Sequence, residues 1–436
     1  MPDKLSAKKI PNARWWRIVI PCILIYIVAY MDRTNIAFAI AGGMNESMGI
    51  SASLAGLAAG IFFIGYMILP VPGGHVAEKG KTTSFVAWSI AAWGVLSAAT
   101  GFVQNANQLL VLRFLLGVAE GGTWPAIMVL ITNWFPKKEM GRANALFVSN
   151  LAFATIITGP LSGWIISIWD WRYVFIIEGI ITLPLIVIWL AMISERPEDA
   201  KWISKEEKEY LVTTLKAEKE EMLKTMINAP VNYKQMCTDI NVWKLVLIYF
   251  CYQTGNYGYT IWLPSIIKEL TKTGIGIVGM LSTLPWIATL VGLYIIGYIS
   301  DWSQNRRLTV VLTMISFAVC FFVATECKSI MWLSFLMLVM SGFFIKPTTG
   351  IFWTMPPLLF PTGVAGGVRG VIVAFGNLGG FLGPFIVGWI TTRYHNSDYG
   401  IMALVCVLLI GALVTMSMPK ITAGSLKNNV VKSTSE

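Results

Sequence analysis

Long apolar runs recur along almost the whole chain and constrain its fold more than any other feature. Each run is close to the roughly 20 residues that a helix needs to cross the hydrocarbon core of a bilayer. Charged residues make up 13% of the sequence, against about 25% in soluble domains, so most of the surface is expected to face lipid. Because a membrane-spanning segment must satisfy its own backbone hydrogen bonds, the sequence predicts an all-α membrane protein.

The apolar runs predict twelve transmembrane helices in two pseudo-symmetric six-helix bundles. Their predicted limits are 17–41, 53–76, 83–103, 106–132, 141–166, 172–194, 242–265, 275–299, 308–327, 329–357, 362–390 and 398–418. The predicted domains are an N-tail (1–16), an N-terminal bundle (17–194), a linker with an amphipathic helix (195–241), a C-terminal bundle (242–418) and a C-tail (419–436). Since the linker carries many charges of both signs, a solvated surface segment is the alternative interpretation of its helical pattern.

The distribution of lysine and arginine predicts the orientation in the membrane. Most of the 33 cations fall in the tails and in the loops on one side of the predicted bilayer. Five fall in loops on the other side: Arg172, Lys268, Lys272, Lys328 and Arg393. Cytoplasmic loops are enriched in such cations, so both termini and the linker are expected to be cytoplasmic. The net charge of +10 is then explained by contact with anionic lipid rather than with nucleic acid.

Several classes of protein lack support in the sequence. The six cysteines show no CxxC spacing and the two histidines, His75 and His395, are far apart, which argues against a disulfide framework or a metal site. A phosphate-binding GxxxxGK[ST] loop is absent, so an ATP-driven pump is not expected. No nucleophile and base stand together in a pattern typical of an enzyme.

Two ionisable residues, Asp32 and Arg33, stand side by side within the first apolar run. A charge near the bilayer centre costs about 2.5 to 3.5 kcal/mol even on the lenient insertion scale, so such residues are usually functional. Arg33 offers the planar, permanently charged fork that a carboxylate needs, and we expect it to bind an organic anion. Asp32 and Glu120 are the candidate proton carriers, because burial and a nearby cation can tune a carboxyl group. Structural salt bridges are the alternative for both acids.

Two further cations lie inside predicted spans. Arg113 precedes Glu120 by seven residues and shares its helix face, which favours a structural role or a bias on Glu120 over substrate contact. Lys346 lies in the middle of span 10 with no acid nearby in the sequence. It is a second candidate for anion binding, while snorkelling to the surface or pairing with a buried acid are the alternatives.

Neutral polar residues within the spans are candidates for hydrogen bonds to hydroxyl groups of a substrate. They are Tyr30, Asn35, Tyr66, Gln253, Asn256, Tyr257 and Asn377. For each of them, a hydrogen bond between helices is an equally good explanation.

The two halves of the sequence repeat a short turn between an even and an odd span. Gly73 and Glu78 precede lysines after span 2, and Gly297 and Asp301 precede Arg306 after span 8. Such parallel halves are expected to pack around a central cavity and to rock against each other. We therefore assign these residues a conformational role.

At this level of detail the chain resembles the major facilitator superfamily. The turn between spans 8 and 9 is similar to the signature turn of that family, although Trp302 stands where the family usually has a basic residue. The first-half copy of the turn has Glu78 in place of aspartate. Four fragments further resemble the anion:cation symporters: residues 30–35, 113–121, 133–142 and 171–179. This family includes bacterial uptake systems for galactonate, hexuronates, tartrate, rhamnonate, phthalate and similar organic acids.

The resemblance implies a function. The matching family positions make Asp32 and Glu120 proton carriers, make Arg33 the anion-binding residue and place Asn377 near the ligand. The expected protein is a monomeric symporter in a bacterial inner membrane that imports a sugar acid or related carboxylate. It needs a proton gradient and membrane lipid but no cofactor. The alternatives are a proton-coupled exporter or antiporter of the same fold, or an importer of an aromatic carboxylate.

Overall fold

The computed structural model describes residues 12–226, 238–360 and 362–419, and within these residues the regular structure is helical, with no β-strand. Eleven of the described helices are long and apolar enough to cross a membrane. Spans 1–6 are Trp15–Ala41, Ala52–Glu78, Thr82–Thr100, Ala106–Trp134, Lys137–Ile168 and Trp171–Met192. Spans 8–12 are Ile275–Ser303, Arg306–Glu326, Met331–Leu359, Gly367–Tyr394 and Ser397–Met416. The predicted all-α fold is confirmed.

Span 7 is the 32-residue helix Ile240–Thr271, which extends beyond its predicted limits at both ends. It does not count among the eleven apolar helices, since polar side chains such as Gln253 and Asn256 interrupt it. Short helices lie outside the spans at Met44–Met48 and Pro197–Asp199, and the linker contains the helix Lys205–Met226. Of the predicted tails and linker, residues 1–11, 227–237 and 420–436 lie outside the described residues.

Six spans consist of two α-helical segments each, and they are the corresponding spans of the two halves. In the first half the segments are Ala52–Tyr66 and Pro70–Glu78, Ala106–Gly121 and Thr123–Trp134, and Lys137–Val148 and Asn150–Ile168. In the second half they are Ile275–Leu281 and Thr283–Ser303, Met331–Phe352 and Pro356–Leu359, and Thr362–Gly376 and Leu378–Tyr394. The second, fourth and fifth spans of each half are therefore the broken ones. Pro70 and Pro356 each begin a segment, where a missing backbone N–H costs nothing.

The two halves are in contact at the end of the bundle that lies away from the linker. The backbone N–H of Ser53 donates to Thr392 Oγ1 over 2.8 Å, and Lys268 Nζ donates to the carbonyl of Ala41 over 2.6 Å. Gly56 of span 2 lies so close to the backbone of Pro384 in span 11 that a β-carbon would collide with it. Small residues of this kind let helix backbones touch in a membrane protein.

The linker helix is anchored to the first half by a buried cluster of charges, Arg14, Glu139 and Glu207. Arg14 Nη2 lies 2.8 Å from Glu139 Oε2, and its Nη1 lies 2.6 Å from Glu207 Oε1. Arg14 and Glu207 are both inaccessible to solvent, as is Leu211 one turn further along the helix. The amphipathic helix predicted within 195–241 therefore packs against the first half and buries one face.

We expect Arg14→Ala to release the linker helix, because removing one partner of a buried ion pair costs about 3 to 5 kcal/mol. The expected result is a lower melting temperature and faster tryptic cleavage within Lys205–Met226. The control is Lys137→Ala, which removes only the exposed pair with Glu221 and should change little. Equal cleavage rates and melting temperatures in Arg14→Ala and the wild type would contradict the assignment.

Candidate functional site

Arg33 of span 1 pairs with Glu120 of span 4. Its Nη2 is 3.2 Å from Glu120 Oε2, and the side chains are 7% and 1% exposed. The guanidinium lies over the rings of Tyr66 and Phe62, with 4.5 Å and 5.1 Å to the ring centroids. These contacts stabilise a cation that has left water. Arg33, predicted to bind the anion, and Glu120, predicted to carry a proton, are therefore in direct contact.

Arg113 fixes the backbone of span 1 at the position of the paired charges. Its Nη1 donates to the carbonyl of Asp32 over 3.1 Å, and its Nη2 donates to the carbonyl of Arg33 over 3.3 Å. A helical carbonyl can accept a second hydrogen bond because it has two lone pairs. Arg113 is fully buried, and both of these hydrogen bonds go to backbone oxygens. This geometry is that of a structural clamp between spans 1 and 4, one of the two roles expected from the sequence.

Asp32 points away from Arg33, towards span 3. Its Oδ1 accepts a hydrogen bond of 2.5 Å from Ser97 Oγ, and the side chain is completely buried. The other carboxyl oxygen, Oδ2, has no hydrogen-bond partner. Neighbouring residues on a helix differ by about 100° in direction, which separates this acid from the adjacent guanidinium. Asp32 and Arg33 therefore belong to two different polar clusters.

Span 6 contributes a third buried acid to the first half, Glu178, which was not predicted as a site residue from the sequence. Asn35 Nδ2 donates to Glu178 Oε2 over 2.8 Å, and Ser162 Oγ donates to Oε1 over 3.3 Å. Asn35, predicted as a substrate contact, is thus used in a bond between spans 1 and 6. The signal for Glu178 was present, since it is an acid within an apolar span, as Glu120 is.

The second half contributes a chain of neutral amides that ends at Lys346. Lys346 Nζ donates to Asn256 Oδ1 over 3.1 Å. Asn256 Nδ2 donates to Gln253 Oε1 and Gln253 Nε2 donates to Asn377 Oδ1, each over 3.2 Å. Four predicted site residues from spans 7, 10 and 11 are thereby joined in one network. Lys346 does not snorkel, because its ammonium group is directed at Asn256 within the bundle.

The predicted tyrosines surround Arg33. The Tyr30 ring lies 5.5 Å from the guanidinium carbon, and the Tyr66 hydroxyl is 3.2 Å from that of Tyr26. Tyr257 of span 7 packs on Phe63 of span 2 with 4.2 Å between ring centroids, so it reaches from the second half to the first. Tyr30, Tyr66 and Tyr257 are therefore brought together at the boundary between the halves.

The two signature turns differ in their ion pairs. Asp301 Oδ1 lies 2.6 Å from Arg306 Nη2, whereas Glu78 lies 3.8 Å from His75 in an exposed contact. Gly73 lies against Gly122 of span 4 with no room for a β-carbon, while Gly297 faces open space. The second-half turn thus holds a close acid–base pair, and the first-half turn holds a close approach of two helices.

Comparison with known proteins identifies the family. The Major Facilitator Superfamily profile matches residues 22–384. A "Putative tartrate transporter" of Agrobacterium vitis is 33% identical over 414 residues, 93% of this chain and 90% of the relative. A "Quinolone resistance transporter" of Acinetobacter baumannii is 30% identical over 407 residues, 92% of both chains. A crystal structure of a bacterial homologue of the human lysosomal transporter Spinster, 14% identical, has a TM-score of 0.74 and covers 93% of this chain and 97% of its own. The chain therefore belongs to the Major Facilitator Superfamily, as its motifs predicted, and is a multi-span membrane transporter rather than an enzyme.

Proposed function

We propose that this transporter imports a small organic anion together with protons, by alternating access across a bacterial inner membrane. The observation that carries the proposal is the environment of Arg33. Its guanidinium is buried in the membrane-spanning bundle at the boundary between the halves, and its carboxylate partner among the described residues is Glu120. A buried guanidinium binds a carboxylate strongly and directionally, and an acid in contact with it can release it by taking up a proton. In the proposed orientation both termini are cytoplasmic.

The Arg33–Glu120 pair suggests how protons and anion are coupled. Protonation of Glu120 from the outer side removes its charge and frees Arg33 to bind a substrate carboxylate. The loaded halves then rock, and loss of the proton on the inner side restores the ion pair and expels the anion. Asp32 is the second proton site in this scheme, because its buried carboxyl has one oxygen without a hydrogen-bond partner.

The membrane potential makes such coupling necessary for uptake. A monoanion that enters a cell held at about 100 mV negative is opposed by roughly 2.3 kcal/mol, which lowers its equilibrium concentration inside somewhat more than fortyfold at about 1.4 kcal/mol per decade. One proton per monoanion makes the cycle electrically neutral. A second proton gives the loaded transporter a net positive charge, so the negative interior then favours uptake. Two candidate acids, Asp32 and Glu120, provide the capacity for either stoichiometry.

The relatives support this proposal but also favour one alternative. The tartrate relative is named for an organic acid, whereas the other relative is named for resistance to quinolones. A thermal-shift screen of the purified protein against sugar acids, aromatic acids and a quinolone separates the two. Stabilisation by simple acids supports an importer of organic anions, and stabilisation by the quinolone alone supports the exporter. Stabilisation by aromatic acids alone supports an importer of an aromatic carboxylate.

We expect Glu120→Gln to lose uptake driven by a pH gradient, because the amide cannot exchange a proton. Labelled tartrate in proteoliposomes is a suitable probe. Exchange of tartrate without a gradient should persist, since Arg33 is then no longer held by a carboxylate. This second readout distinguishes a coupling role from a purely structural pair, whose loss would impair both processes.

Glu326→Gln is the matched control for that experiment, because Glu326 is an exposed acid at the end of span 9. It should behave as the wild type does. Gradient-driven uptake at the wild-type level in Glu120→Gln would refute the assigned role of Glu120.

Arg33→Gln is expected to weaken tartrate binding about tenfold or more, since hydrogen bonds to charged groups contribute about 1.5 to 3 kcal/mol. Arg33→Lys should be intermediate because it keeps the charge but loses the planar fork. Titration of the thermal shift with tartrate in detergent measures both. The control is Arg393→Gln, at an exposed arginine near the end of span 11. Wild-type affinity in Arg33→Gln would exclude Arg33 as the anion site.

A further inference from the structure

Lys346 is a cation inside the membrane-spanning bundle without a counter-ion among the described residues. Its only polar partner there is the neutral oxygen Asn256 Oδ1, and no carboxylate of the described chain forms an ion pair with it. An ammonium group has three N–H donors, so two remain available. A charge in this position is costly unless something compensates it. Lys346 can therefore bind an anionic group through its two remaining N–H donors.

The amide chain next to Lys346 has a direction that the lysine itself imposes. Because an ammonium group can only donate, Asn256 must present its oxygen to Lys346 and its nitrogen to Gln253. The same logic continues along the chain, so that Gln253 presents its nitrogen to the oxygen of Asn377. The NH₂ group of Asn377 is then left as a donor at the far end. Both ends of the chain consequently offer hydrogen-bond donors to a ligand.

Arg33 and Lys346 belong to opposite halves and are connected through span 7. Asn256, which accepts the hydrogen bond from Lys346, directly precedes Tyr257, and the Tyr257 ring packs on Phe63, the neighbour of the Phe62 ring under the Arg33 guanidinium. The two cations carry the same sign, so each disfavours the other in a medium of low dielectric constant. Glu120 compensates Arg33 in the present arrangement, but nothing in the described chain does the same for Lys346. Once Glu120 is protonated, neither cation has a charged carboxylate partner among the described residues. A ligand with one negative group compensates only one of them.

We propose that the substrate is a short aliphatic dicarboxylate, with one carboxylate on Arg33 and the other on Lys346. This inference rests on the proposed function, since it takes Arg33 as the anion site. The amide chain ending at Asn377 lies beside the second carboxylate. It forms hydrogen bonds with hydroxyl groups on the substrate carbons between the two carboxylates. A ligand held by both halves also draws them together, which is the event that alternating access requires.

The test compares acids that differ by one carboxylate. Tartrate and malate are the dicarboxylates, and glycerate and lactate are the matched monocarboxylates. Affinities come from thermal-shift titration of the wild type, Lys346→Gln, Lys346→Arg and Arg33→Gln. Lys272→Gln is the control, because Lys272 is exposed in the loop after span 7. Monodisperse elution and a cooperative melt establish that each variant is folded.

The wild type is expected to bind the dicarboxylates at least tenfold more tightly than the matched monocarboxylates, as charge-assisted bonds of about 1.5 to 3 kcal/mol imply. Lys346→Gln should remove this preference while monocarboxylate affinity stays within about threefold, and Lys346→Arg should retain the preference. Arg33→Gln should weaken both classes. If Lys346→Gln does not fold, Lys346→Met takes its place, because it removes the charge and keeps an unbranched side chain.

Two outcomes overturn the inference and remain distinguishable from failure of the proposed function. Equal affinity for both classes in the wild type, or an unchanged preference in Lys346→Gln, refutes the dicarboxylate while binding that depends on Arg33 still supports an organic-anion transporter. Stabilisation by none of the acids refutes the proposed function itself.

Discussion

The cost of placing charge in hydrocarbon determines where the buried ionisable groups of this protein lie. Among the described residues, the buried charges of spans 1 and 4 each have a partner that reduces this cost: Glu120 for Arg33, Ser97 for Asp32, and backbone carbonyls for Arg113. None of these arrangements can form on a single helix. The charges therefore hold spans 1, 3 and 4 together, and the bundle positions the charges in return.

The parts of the structure that could be predicted from sequence are those that a single segment encodes. Span lengths follow from runs of apolar residues, and the burial of Asp32 and Glu120 inside the bundle follows from acids placed within such runs. The contact between Asn35 and Glu178 could not be predicted, because it depends on how spans 1 and 6 are rotated towards each other. Helices that are apolar on nearly every side give no periodic signal that fixes this rotation.

The clamp formed by Arg113 illustrates the same limit in another way. Sequence spacing placed Arg113 and Glu120 on one helix face and left a structural role and a bias on Glu120 both open. The hydrogen bonds go to main-chain oxygens of span 1, and main-chain acceptors leave no trace in a sequence pattern. Only the packing of spans 1 and 4 reveals them.

The two halves share a backbone design but differ in chemistry, and this difference bears on the proposed mechanism. The buried acids within the described spans, Asp32, Glu120 and Glu178, all belong to the first half, whereas the second half offers amides and Lys346. A protonatable acid and the substrate carboxylate then compete for one cation, Arg33. Binding of a proton to Glu120 and binding of the anion to Arg33 must therefore favour each other by the same free energy, as linkage requires. Coupling in this scheme needs no signal between distant sites, because both ligands act on a single ion pair.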